Sequence, residues 1–248
     1  MFEWLNKDSR KFLARGYLKN DQLPEERIKE ITETFRGYIG SKEIAYKFYK
    51  YLGKGYYSLS SPVWSNYGTN RGLPVSCFGS YIEDSTASIL SAHSEIGIMN
   101  KMGGGAAAYF GNVRGRGSPI GQDKGESFGS VHFMEMFDNL VKVISQGKVR
   151  RGAFSPYLPI EHPDALEFIR IGEEGHPIQG LTHGVTVTNE FIEKLYSGDL
   201  EARTKWAEVI KARGERGYPY IIFIDNINDN TVGVYKDKNR KIVASNLC

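Results

Sequence analysis

Two cysteines and three short stretches of this chain carry residue types that could do chemistry. Cys77 and Cys248 are its two cysteines, and Cys248 is the last of the 248 residues. Two thiols make no disulfide scaffold, their separation matches no zinc-knuckle spacing, and a chain that stops on a thiol instead of a polar tail is unusual. Gly103-Gly104-Gly105 offers bare backbone N–H groups that let a phosphate approach closely, and fits equally well as a helix C-cap followed by a close-packed strand. Gly147-Lys148-Val149-Arg150-Arg151-Gly152 puts three cations into one turn, which alone reads as a solvated basic loop before it reads as a phosphate contact. Asp84-Ser85-Thr86 is either an N-cap cluster or a set of acceptors for a sugar hydroxyl. The five histidines, His93, His132, His162, His176 and His183, have no metal-ligand spacing and read as surface or satisfied structural residues. No G-x-x-x-x-G-K-[ST] loop, G-x-G-x-x-G turn, G-x-S-x-G elbow or H-E-x-x-H pair occurs.

Charge narrows the partners. The 32 Lys+Arg exceed the 29 Asp+Glu by 3, too little to argue for nucleic acid. With 40% hydrophobic and 25% charged residues the composition is that of a globular protein, and wholesale disorder is excluded. No apolar run approaches the roughly 18–20 residues that span a bilayer. The N-terminus, Met1 to Asp8, lacks the basic start and apolar core of a secretory signal. The expectation is a cytoplasmic protein with no membrane partner.

The elements that must position these residues change character along the chain. Residues 1–53 read as helical, with Pro24, Glu25 and Glu26 in a first turn and Ile28, Ile31 and Phe35 at helical spacing. Ser41 can cap a further helix with Ile44, Phe48 and Tyr51 or Leu52 inward, stopped by Gly53. From residue 54 onward, short β-prone runs alternate with helices. Strands are expected at Tyr57–Leu59, Ser76–Ile82, Ala106–Phe110, Gly184–Thr188, Tyr220–Asp225 and Lys241–Ala244. Helices are expected after a cap at Asp84 or Ser85, over Ser127–Ser145, Pro163–Ile171 and Trp206–Arg213, and over Phe191–Tyr196 with Asn189 as its cap. This alternation predicts an α/β fold.

In order, four segments resemble the catalytic subunit of ribonucleotide reductase, most closely its class I branch. Ser58-Leu59-Ser60-Ser61-Pro62 with Pro74-Val75-Ser76-Cys77 is similar to the family's first barrel strand and reducible cysteine. Gly103-Gly104-Gly105 through Arg114-Gly115-Arg116-Gly117-Ser118-Pro119-Ile120 is similar to its glycine turn and R-x-x-G-S-x-I loop. Ser145-Gln146-Gly147-Lys148-Val149-Arg150-Arg151-Gly152 resembles its specificity loop, with Lys148 where several relatives carry a smaller residue. Ser245-Asn246-Leu247-Cys248 resembles the segment that carries its radical cysteine.

The resemblance implies a helical N-terminal segment over residues 1–53, followed over 54–248 by the first half of a ten-stranded α/β barrel. It implies that Cys248 is the thiyl residue that takes the ribose 3′ hydrogen, that Asn246 binds sugar hydroxyls, and that Cys77 is half of the dithiol that reduces the 2′ carbon. Ser61, Ser76, Cys77, Gly104, Gly105 and Asn246 would hold the ribonucleotide substrate. Asp84, Ser85, Thr86 and Arg114 would bind a nucleoside or deoxynucleoside triphosphate effector, and Gln146 and Arg150 would relay its identity. No metal or cofactor is expected on this chain. The radical would come from a metal-containing small subunit and the electrons from thioredoxin or glutaredoxin, on a homodimer of catalytic subunits.

The family pattern continues past the radical cysteine to a glutamate base, a second reducing cysteine, a phosphate loop, radical-path tyrosines and a C-terminal cysteine pair. The expectation is therefore an N-terminal part that works only with a complementary C-terminal chain, a gene split at that codon being favoured over a truncated frame. Two other readings stand beside it. One is a non-catalytic regulatory module that binds nucleotide through Asp84 and Arg114. The other, ranked last because no aromatics interleave with the basic residues, is a nucleic-acid-binding protein using Arg114, Arg116, Lys148, Arg150 and Arg151.

Overall fold

The structure, a computed structural model, describes residues 1–19, 21–121, 125–144 and 152–246. Contacts divide the described residues into two units: 1–76 with 102–104, and the remainder.

The first unit is helical because its apolar residues recur at helical spacing between clear caps. Asn6 Oδ1 accepts from the N–H groups of Asp8 and Ser9 to start α1 (Lys7–Ala14). In α2 (Pro24–Ile39), Pro24 occupies the first turn, Glu26 reaches back 2.9 Å to the Leu23 N–H, and Gly40 at φ +68° ends the helix. Ser41 Oγ caps α3 (Lys42–Gly53), and α4 spans Ser61–Asn66. Ile28, Ile31, Leu52 and Trp64 form the core of this unit. Two expectations fail here. Ile44 is exposed and Ala45 takes the inward position. Tyr57–Leu59 forms no strand, and Ser61 and Pro62 open a helix, because Pro62 suits a first helical turn and Ser60 precedes it in extended conformation.

The second unit is a parallel sheet in the order β1-β2-β3-β4-β5, built from Cys77–Tyr81, Gly105–Tyr109, Ala153–Pro159, Gly184–Val187 and Tyr220–Phe223. The crossovers carry α5 (Thr86–Lys101), α6 (Ser130–Ile144), α7 (Ala165–Ile169), α8 (Asn189–Ser197) and α9 (Leu200–Arg216); α10 (Ile224–Asp229) and α11 (Gly233–Asp237) come after β5. Crossovers between sequential parallel strands share one hand as a rule, which places the helices on one face of the sheet. Strand alternation then decides the rest. Ala106, Ala108, Phe154, Leu158, Val185 and Val187 join the helix-side core with Ile96, Phe137, Phe168 and Val209, each large side chain contributing about 1.5–3 kcal/mol of apolar burial. Residues of the opposite parity face the other way, where Ala107, Tyr157 and Ile222 gather Tyr109, Ile224 and Ala244. The fold is α/β, a helical N-terminal region followed by parallel strands, as the alternation predicts.

Local corrections have local causes. β3 has no counterpart among the expected strands, because Pro156 and Pro159 read as breakers; Pro156 nevertheless pairs in register with Ala108. Thr188, not Asn189, caps α8, its Oγ1 accepting from Phe191 N at 3.1 Å. The strand expected over Tyr220–Asp225 stops at Phe223, and Asp225, inside α10, accepts from Asn189 N at 2.7 Å. Lys241–Ala244 is not a strand: Asn228 holds Ile242 through both its N–H and its C=O, at 2.7 and 2.9 Å, in place of a ladder.

Just before β4, His183 is buried against the edge of Phe168, and burial pushes its pKa down from 6.5 to about 3. Between those two values the unfolded chain binds a proton that the folded chain refuses, so falling pH favours unfolding, at roughly 1 kcal/mol per pH unit. In urea titrations, the parent is expected to lose about 2–3 kcal/mol more than His183→Phe between pH 6.5 and pH 4.5. Parallel losses in the two proteins would refute this.

Candidate functional site

Cys77 is the first residue of β1 and is exposed on the face away from the helix-side core. Its register partner on β2 is Gly105, which pairs in turn with Ala153 on β3; the next row of that face is Gly79, Ala107 and Ser155. Small side chains thus surround the thiol, whereas the row beyond carries Tyr81, Tyr109 and Tyr157. Gly184 completes that row because a Cβ there would lie 2.4 Å from Tyr157 Cε1.

Asn246 returns to these strands from the far end of the chain. Its Nδ2 donates to Gly105 O at 2.7 Å and to Phe78 O at 3.0 Å, bridging β1 and β2 beside the thiol row. Both partners are carbonyls, so the amide orientation is fixed by chemistry. Its Oδ1 is consequently a buried acceptor with no partner among the described residues. An acceptor in that position suits a hydroxyl donor.

A second cluster forms where β1 leads into α5. Ser85 Oγ accepts from Ser88 N at 3.1 Å and Ser88 Oγ from Glu83 N at 3.0 Å, so Ser85 is the cap. This frees Asp84, which accepts from Arg114 Nε at 2.7 Å and Arg114 N at 3.2 Å; Arg114 Nη1 also donates to Pro119 O at 2.6 Å. The pair is more than a third exposed on each side, so it stabilises by less than about 1 kcal/mol and opens cheaply to a charged ligand. Thr86 is exposed in the same first turn.

Cys77, Gly105 and Asn246 therefore come together in the second unit, as do Asp84, Ser85, Thr86 and Arg114. Ser61, Ser76 and Gly104 belong to the first unit, with Ser61 exposed and Ser76 and Gly104 buried. Gln146, Arg150 and Cys248 lie outside the described residues. At Gly103-Gly104-Gly105 a helix ends and β2 begins, with Gly103 at φ +80°.

The ribonucleotide reductase barrel-domain family model matches residues 75–200 and 194–248, from just before β1 to the last residue. The chain belongs to the ribonucleotide reductase family. The putative ribonucleoside-diphosphate reductase large subunit of Frog virus 3 (isolate Goorha) is 32% identical over 88% of this chain and 40% of its own length. A vitamin B12-dependent ribonucleoside-diphosphate reductase of Thermoplasma acidophilum is 30% identical over 87% of this chain and 30% of its own. Among solved structures, the class Id ribonucleotide reductase alpha subunit of Actinobacillus ureae superposes with TM-score 0.92 at 48% identity, over 100% of this chain and 46% of that one. The chain thus spans less than half the length of these ribonucleotide reductases.

Residues that the sequence did not mark also shape the site. His162 and Asp164 make buried bonds to the Arg114 loop, and Asn100, buried in the last turn of α5, lies against Gly152, where a Cβ would come within 2.0 Å of its Oδ1. An Asp just before a helix, at Asp164, is a visible cap signal, but nothing in the spacing shows that it serves a different element.

Proposed function

We propose that this chain is the N-terminal part of a class I ribonucleoside-diphosphate reductase catalytic subunit, reducing ribonucleotides to deoxyribonucleotides in the cytoplasm through a thiyl radical. The carrying observation is Asn246, whose amide is anchored across β1 and β2 beside Cys77 and whose Oδ1 is left as a buried acceptor. It would accept from a ribose hydroxyl, with Cys77 on the neighbouring strand supplying one reducing thiol and Cys248, two residues on in sequence, the radical. Ser61, Ser76, Gly104 and Gly105 would hold the rest of the substrate.

Asp84, Ser85, Thr86 and Arg114 would receive a nucleotide effector. The guanidinium suits phosphate oxygens, and the first turn of α5 favours negative charge. Gln146 and Arg150 would carry the effector signal onward. A complementary C-terminal chain, a metal-containing radical-generating subunit, a thioredoxin or glutaredoxin and a second catalytic subunit are the proposed partners. Mixed with the first two and a dithiol reductant, the chain is expected to yield deoxynucleotide from a ribonucleoside diphosphate. Absence of product from the complete mixture would overturn the proposal.

A further inference from the structure

We propose that Asp164 is a positioning residue for effector binding, holding the loop that presents Arg114; this rests on the effector reading above. Among the described residues of the loop that follows Val113, Gly117 N donates to Ser127 O at 2.9 Å, Ser127 N to Ser118 O at 2.8 Å, Ile120 N to Gly125 O at 2.9 Å and Ser118 N to Gly115 O at 3.2 Å. Beside the exposed Asp84 pair, its base is held from outside by two buried side chains that bracket Arg114. His162 Nε2–H donates to Val113 O at 2.8 Å, and Asp164 Oδ1 accepts from Arg116 N at 2.8 Å. His162 is fixed in this tautomer because its Nδ1 accepts from Asp164 N at 3.0 Å.

The other oxygen of Asp164 reaches a different element. Oδ2 accepts from Ser130 N at 2.7 Å and from Ser130 Oγ at 2.9 Å, at the first residue of α6. Asp164 holds the cap position of α7 yet makes no side-chain bond to it; its carboxylate goes to the N-terminus of α6, where negative charge is favoured. Gly129, at φ +89°, makes room, since a Cβ there would lie 2.7 Å from Oδ2. One carboxylate, 5% exposed, thereby ties the backbone beside Arg114 to the helix that leads into residues 145–152. Asp164 touches no ligand in this scheme; it acts through the position of Arg114.

The test is titration of the full chain with dTTP, dGTP and dATP. Asp164→Asn keeps the shape but turns an NH2 group toward one of its backbone donors. It is expected to weaken binding at least about tenfold, and Ser130→Ala, which removes one bond of three, about threefold. A purely structural role would reduce the folded fraction and leave the affinity of the folded protein unchanged. Combined with Arg114→Ala, Asp164→Asn should add no further loss if it acts through Arg114. Affinity within twofold of the parent, or full additivity with Arg114→Ala, would overturn the inference. If Asp164→Asn does not fold, Ser130→Ala and its combination with Arg114→Ala decide on the same terms. A parent that binds none of the three nucleotides removes the effector reading and this inference with it.

Discussion

Cys77→Ser is expected to abolish sustained deoxynucleotide formation by the reconstituted enzyme, on the order of a thousandfold or more, the scale on which removal of a bond-forming group is felt. Replacing the 2′ hydroxyl by hydrogen, with release of water, requires two electrons and two protons. A pair of thiols supplies them by closing a disulfide, which a serine hydroxyl cannot do. Structural damage would not account for such a loss. Cys77 is exposed at the start of β1, the main core lies on the opposite face, and serine differs from cysteine by a single atom. Nucleotide binding at the proposed effector site of Asp84 and Arg114, at the other end of β1, should be unchanged in the same variant. The measurement is product per catalytic subunit over many turnovers, with effector affinity taken on the same sample. Retention of a tenth of the parental turnover would show that Cys77 is not half of the reducing pair.

How far such a site is legible depends on where its partners lie in the chain. α5 and β2 are readable because Ile89, Ala92 and Ile96 repeat at helical spacing and Gly103, at φ +80°, separates the helix from the strand. β3 is not, because its prolines oppose a strand locally and only the neighbours on both sides, which no local pattern records, outweigh them. For the same reason Lys241–Ala244 looks like a strand and is not one: the Ile242 backbone is held by Asn228 and Ala244 packs against the Tyr157 cluster. Cys77 and Asn246 can be matched to family segments, yet the spacing of residues 78, 105 and 246 says nothing of a bond between them. His162 and Asp164 are harder still. Apart from the Ser130 hydroxyl, their partners are backbone groups of Val113, Arg116 and Ser130, and a backbone group has no letter in a sequence.

Arg27→Ala is expected to destabilise the first unit by roughly 3–5 kcal/mol, the cost of removing a buried charged donor from its acceptors. Arg27 lies on α2 beside Ile28 and is 1% exposed. Its Nε donates to Trp64 O at 2.8 Å and its Nη2 to Tyr67 O at 2.7 Å and Val63 O at 3.3 Å. Those carbonyls lie at the end of α4, a six-residue helix; Val63 O also accepts from Tyr67 N at 3.2 Å, whereas the last C=O groups of a helix have no partner within it. The guanidinium supplies their donors and places positive charge at the negative end of the helix dipole. Glu30, 2.9 Å from Nη1 but 40% exposed, adds little, so Glu30→Gln should cost less than about 1 kcal/mol. Arg27→Lys should fall between the two, since an ammonium can satisfy fewer of the three carbonyls and lacks the planar fork. Trp4 and Trp64 both belong to this unit and lie 6.2 Å apart, so urea unfolding followed by tryptophan fluorescence reports on it. A loss below about 1 kcal/mol for Arg27→Ala would mean that water replaces the guanidinium at α4 without penalty, and that the α2–α4 packing is held by Ile28, Ile31 and Trp64 alone.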